Sequence, residues 1–537
     1  MVRYTLLVLF SLFIYHSSVG QAKITVGPPY DVIDADSKYY FAYKGDIITL
    51  KVVKRSVVLQ KLNAGTLKFQ QTRLHDDFPK GYQIEKITRF KDRFYLFYSY
   101  WENEQEQLFA REIDIAGCSL KPAKKIITVN EKITGSLVRT GWMSAGVADK
   151  YDFYFSHDST NMVVQYRVKP DKRDDSKSYD VIGMHVFNSA LTEKWGGKIT
   201  MPYTEKKMDN LDYSLDSKGN AYIVTRVYND DSTDKKKRGE DEANYTLEIL
   251  KITDPKTPVT TAKVELGDKF VKTLWLHENP KSGMIAAGYY NMGKSGRKAA
   301  GNVDGVLMFK LDAAGKPSTV STYEIPVDVL NQYASGKDKR KNERKEDDDD
   351  AEATNMVLQH VYIHPDGSVM LVGEQYYEKM HSSYANGGST VYYTYHYNDI
   401  LVTMIDPAGK LAWMKKLPKR QRGSNGRGGM SFAHINMKDN HYFVFLDNVK
   451  NKDLPITELP AQHLDTQGGF LTAYHVESKT GNVKKLTLLD TRNVNGLEVF
   501  QFNPDRILGI TKNTFVCEVY KKKKEDVLIK VELEGKR

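Results

Sequence analysis

In His360-Val361-Tyr362-Ile363-His364 two histidines and a tyrosine alternate, so on an extended strand all three point to one side. Near the axis of a ring of sheets, such side chains could bind a metal or exchange protons with a substrate. No third ligand follows at a fixed spacing, and His364 opens the turn His364-Pro365-Asp366-Gly367-Ser368. A structural reading therefore stands beside the chemical one. His360 and Tyr362 are kept as axial candidates, and neither a metal nor another cofactor is expected. His434 and His441 flank a separate turn and offer no more.

A second group is aromatic and basic. Tyr376, Tyr377, Tyr384, Tyr392, Tyr393, Tyr395 and Tyr397 crowd around Asn386-Gly387-Gly388. Tyrosine supplies amphipathic contact area, so a loop of this composition suits recognition of a protein or a surface glycan. The same alternation also writes a β-hairpin, and the two readings are compatible. Arg420, Arg422 and Arg427 lie in a Gly-rich segment that reads as a flexible linker or as a basic loop meeting an anionic partner.

Other chemistries find little support. Gly141-Trp142-Met143-Ser144-Ala145-Gly146 has no helix pattern after it, as a nucleophile elbow requires. The acidic runs at 347–350 and 240–242 lack the alternating Asp/Asn with Gly that wraps calcium. Paired carboxylates for glycoside chemistry depend on the fold. A polysaccharide hydrolase or lyase with acid/base residues at a central axis thus stands as the alternative to a non-enzymatic binding or scaffold protein.

The elements that must position these residues are strands. Around Asp366-Gly367 and again around Asp406-Pro407-Ala408-Gly409, apolar β-branched runs flank tight turns, giving a four-stranded antiparallel meander. Weaker copies recur along the chain, with turns at 91–93, 216–220, 279–283, 438–440 and 503–506. Units of this kind predict an all-β fold, a β-propeller of seven or eight four-stranded blades, because radial stacking buries both faces of each sheet. The last unit is one strand short, and Lys23-Ile24-Thr25-Val26 is expected to supply it. Polar insertions at 170–177, 229–243, 293–302 and 379–391 all fall between a unit's second and third strands, which gathers them on one end of the ring. The charged segment 335–353 reads as a mobile loop between two units.

The units resemble the WD40-like, YVTN-like and quinoprotein-like repeats of secreted bacterial β-propellers. The likeness rests on His364-Pro365-Asp366-Gly367-Ser368-Val369-Met370-Leu371-Val372-Gly373 and on Ile405-Asp406-Pro407-Ala408-Gly409-Lys410-Leu411-Ala412-Trp413. It implies the ring fold across 39–533 and leaves activity open. The Trp413 ending does not recur in the other units, so no quinone is carried over.

Arg3, the apolar run at 6–14 and the small residues Ser17, Ser18 and Gly20 read as a signal peptide over 1–20, with one propeller domain over 21–537. The expected location is exported: periplasmic, cell-surface or extracellular. No later apolar run is long enough to span a bilayer, so the protein is not expected to cross a membrane, although association with the envelope fits. The net charge of +10 is spread among acids, and nucleic acid is not an expected partner. Cys118 and Cys517 are too few for a disulfide framework and form either one bond or two buried thiols.

Overall fold

The computed structural model describes residues 22–134, 150–169, 177–232, 234–235, 242–293, 302–347, 353–385, 388–424, 429–437, 440–521 and 523–533. The segment 1–20 that reads as a signal peptide, the run 141–146, most of the insertion 170–177, parts of the acidic runs and Arg427 lie outside them. So does the side chain of Tyr384.

Among the described residues the chain forms eight sheets in sequence order, antiparallel except where Gln421–Gly423 pairs in parallel with His463–Leu464 in the sixth. Their first strands are Ser37–Tyr43, Gln83–Phe90, Asp152–Phe155, Met208–Leu215, Phe270–Asn279, Met356–Ile363, Ala433–Met437 and Ile507–Thr511. Apolar residues alternate to opposite neighbours. In Gly283–Asn291 of the fifth sheet, Met284, Ala286 and Tyr290 pack toward the fourth sheet, while Ile285, Ala287 and Tyr289 pack toward the sixth. Each sheet shares one apolar cluster with the next, and Ile47 and Leu62 of the first meet Val516 and Leu528 of the eighth. The sheets therefore close on themselves, which leaves only short edges, as a propeller should. The expected closing strand is present: Lys23–Val26 pairs with Glu525–Glu532 in the eighth sheet.

The turns explain why the repeat was legible. Gly219, Gly315, Gly367 and Gly409 have φ of 93, 90, 94 and 87°, a region open to glycine at little cost. Each donates its N–H to the carbonyl three residues back, on Asp216, Asp312, His364 and Asp406. The Asp216, Asp312 and Asp406 carboxylates cap N–H groups within the same turns. A second recurrence was not legible. In the second, fourth, fifth and sixth sheets the pairing of first and second strands slips by one residue, at Glu85, Leu211, Lys272 and Gln359. Such bulges re-aim side chains.

Two expectations need correction. The charged run carries a helix, Gly336–Asp347, rather than an unstructured loop. It contacts a short helix, Val327–Asn331, through Asn342 and Asn331 at 2.9 Å, and its Lys/Arg/Glu content favours helix where packing does not decide. The segment after Arg420 is not a plain linker, because Gln421–Gly423 forms a strand. Cys118 and Cys517 are both buried and free, so the disulfide alternative falls.

Candidate functional site

The sixth sheet contains the two longest strands among the described residues, Val369–Ala385 and Gly388–Ile405. The first strand pairs with Val369–Ala385 only as far as Gln375, and Leu411–Leu417 pairs with Gly388–Ile405 only as far as Ile400. Beyond that level Gln421–Gly423 still flanks residues 395–397, and past it the two long strands continue as a pair that leaves the sheet as an arm. The insertion expected at 379–391 is this arm, with the tyrosines in strand rather than loop.

Buried charge fixes its base. Glu374 and Lys419 form an ion pair at 2.7 Å with neither side chain exposed. Ser431 Oγ donates to Glu374 at 2.7 Å, and Lys419 Nζ donates to the Tyr397 carbonyl at 2.9 Å and to Gln421 Oε1 at 3.1 Å. Gln421 Nε2 donates in turn to the Leu446 carbonyl of the seventh sheet at 2.8 Å. Buried charges are tolerable when paired and hydrogen-bonded in this way, and the arm's origin is thereby tied to two sheets.

Period-two alternation gives the arm two distinct faces. On one, Tyr377 stacks on His396 with ring centroids 4.5 Å apart and planes 7° apart, and His381 stacks on Tyr392 at 4.8 Å and 10°. Thr394 Oγ1 links the two histidines, 2.9 Å from His381 and 3.2 Å from His396. Arg422 stands opposite His396 because Gln421–Gly423 pairs with residues 395–397. Burial, followed by Arg422, Lys379 and other nearby cations, holds the His396 imidazole below its usual pKa. On the other face Tyr376 meets Tyr397 at 4.9 Å and donates its hydroxyl to Glu378 at 2.7 Å. Met380 and Tyr393 pair across the strands, with Val391 diagonal to them, and they are 62, 40 and 49% exposed. Large apolar side chains left this open and adjacent mark contact surfaces.

The structure thus brings together Tyr376, Tyr377, Tyr392, Tyr393, Tyr395 and Arg422 on the arm. Arg420 is exposed beside its base, and its carbonyl accepts from His463 N at 2.9 Å. The axial candidates lie elsewhere. His360 and Tyr362 face His434 of the seventh sheet, with centroids 6.0 and 4.2 Å away, and His364 meets His441 at 5.0 Å. Two histidine pairs that are remote in sequence form one cluster. Among the described residues no three His, Cys, Asp or Glu are placed to hold a metal ion.

Two carboxyls escaped sequence reasoning. Burial pushes Glu85 up to about 7, against donors from Ser99 Oγ at 2.5 Å and Lys150 N at 3.2 Å. Burial likewise raises Asp212 to about 7, although Leu276 N donates to it at 2.7 Å. Both sit on first strands at or beside a bulge, and no residue type announces a bulge in advance.

No family model and no curated protein matches the sequence. Among solved structures, the chain is similar to the WD40 domain of SCAP from fission yeast, at 7% identity and a TM-score of 0.37, covering 96% of this chain and 98% of that one. It is also similar to a prolyl endopeptidase, at 12% identity and a TM-score of 0.39, covering 94% and 55%. The match to prolyl oligopeptidase B from Galerina marginata has 10% identity and a TM-score of 0.38, covering 95% and 55%. The chain spans little more than half the length of these two peptidases. At such TM-scores the likenesses carry no argument, and the architecture rests on the order and packing of the sheets.

Proposed function

We propose that this chain is an exported, non-enzymatic propeller of eight blades that recognises a protein partner through the arm at 375–395. The exposed apolar patch of Met380, Val391 and Tyr393 carries this reading, because Met and Tyr are enriched in interface cores and charge is depleted there. The buried base of the arm supports it as well, since a surface fixed in advance loses less freedom on binding. The signal-like segment 1–20 supports export. No helix among the described residues is long and apolar enough to cross a membrane. Affinity capture from the native envelope with wild type and with M380S/Y393S tests the reading. One stoichiometric protein, retained by wild type, lost by the variant and rebinding when purified, is the expected result. Equal capture by both would remove the arm from consideration.

A second reading, a propeller enzyme acting on polysaccharide, draws on Glu85 and Asp212. Each titrates near 7, where general acids and bases work best. Release of reducing ends from envelope polysaccharide, abolished in E85Q or D212N variants that remain folded, would favour it over recognition by the arm.

A further inference from the structure

The inner seam between the sixth and seventh sheets is lined by imidazoles. His360 comes from Met356–Ile363, His364 from the turn that follows, His434 from Ala433–Met437 and His441 from Asn440–Asp447. His434 Nε2 and His441 Nδ1 lie 2.9 Å apart, so one proton serves both nitrogens. Their other nitrogens, His434 Nδ1 and His441 Nε2, are buried with no hydrogen-bond partner. Phe432 and Phe443 pack against this group, Phe432 on His360 and Phe443 on His434, and Tyr362 covers His434.

The charged groups nearby do not relieve the pair. Among the described residues, the charges acting on His434 besides burial are those of His441, His360 and His364, and those acting on His441 are of His364 and His475. The carboxylate of Asp366 acts on His364 instead, and those of Glu477 and Lys484's ammonium act on His475. Among the described residues, an extra proton on the pair would meet other imidazoles and aromatic rings, with no carboxylate acting on it.

We propose that this histidine cluster is a proton-operated fastener, which holds the inner strands of the sixth and seventh sheets together while neutral and releases them when protonated. The inference does not depend on the arm's ligand. Burial and the neighbouring imidazoles hold His434 down to about 2 and His441 to about 3, against about 6.5 for an exposed imidazole. The closed seam is therefore fully favoured above about pH 6.5 and is weakened as pH falls below it, since the open state takes up protons first.

Hydrogen exchange of the amides at 356–363 and 433–437, corrected for the intrinsic pH dependence of exchange, reads the opening directly. With at least the two imidazoles of His434 and His441 taking up protons on opening, the opening constant should rise about 100-fold or more between pH 7.5 and 5.5. Amides at 307–309 of the fifth sheet serve as the reference. In H441N, which keeps a polar neighbour for His434 but cannot titrate, the rise should shrink by about tenfold. A change of less than about threefold in wild type, or an equal rise at 307–309, would overturn the proposal. Should H441N not fold, the contrast between seam and reference in wild type decides the matter alone.

Discussion

Lys51 and Glu518 form an ion pair at 3.1 Å with neither side chain exposed, one on each side of the seam where the eighth sheet meets the first. Lys51 also reaches Asp526 at 3.1 Å, Lys38 contacts both carboxylates at 3.2 Å, and the hydroxyls of Tyr30 and Tyr40 donate to Glu518. Burial alone would raise Glu518, but Lys51 and Lys38 outweigh it and hold the carboxyl at about 2. Burial, with Glu518 adding to it, raises Asp526 instead. The seam that closes the ring thus adds a buried charge network to its apolar contacts.

K51M should destabilise the protein by about 3–5 kcal/mol, because it strands two buried carboxylates with Lys38 alone. Urea denaturation at pH 7 measures this. A loss under about 1 kcal/mol would mean that Lys38 and water compensate.

Stability should also fall on mild acidification through His277 and His463. Burial lowers both to about 4, with His157 adding to the effect at the first and Lys419 at the second, while Asp465 opposes it at the second. Their contribution is complete above about pH 6.5 and is lost as pH drops toward 4, at roughly 1.4 kcal/mol per pH unit for each. Denaturant midpoints between pH 7 and 5 should show this slope, reduced in H463F.

M380S/Y393S should leave the denaturation midpoint within about 0.5 kcal/mol of wild type, since both side chains are exposed on the arm and away from every apolar cluster. A larger loss would show that the patch supports the fold and would weaken the binding argument.

G288A should cost about 3 kcal/mol. A Cβ there would lie 1.9 Å from the Thr273 carbonyl oxygen and 2.8 Å from Leu274 Cα, and backbone cannot step aside as a side chain can. Gly288 pairs with Leu274, two residues past the bulge at Lys272, so tolerance of alanine would show that the strand pairing beside this slip in register is adjustable.

Much of the ring was legible because its turns need particular residues. Asp216, Gly219, Gly367 and Gly409 occupy positions that few others fill, and the runs between them alternate or are wholly apolar according to burial. The closing strand was legible as a missing partner. The arm was legible in composition and, through the aromatic alternation, as a β-hairpin, whereas the register that stacks Tyr377 on His396 was not legible, because tyrosines suit loops and strands alike. The histidine cluster was hidden because His360 and His434 are neighbours only through the ring. Glu85 and Asp212 were hidden because their pKa shifts arise from burial, which is set by the bulged strands around them.

Lys23–Val26 and Glu525–Glu532 lie roughly 500 residues apart along the chain yet share one sheet. Each of the other sheets can assemble from neighbouring sequence, but this one waits for almost the whole polypeptide. Its formation carries the longest loop closure in the molecule and should be among the slowest steps of folding. A chain delivered from its N-terminal side would present the closing strand first and use it last. Until then Lys23–Val26 is an unpaired edge segment, and the unclosed first and eighth sheets are where a chaperone would be needed.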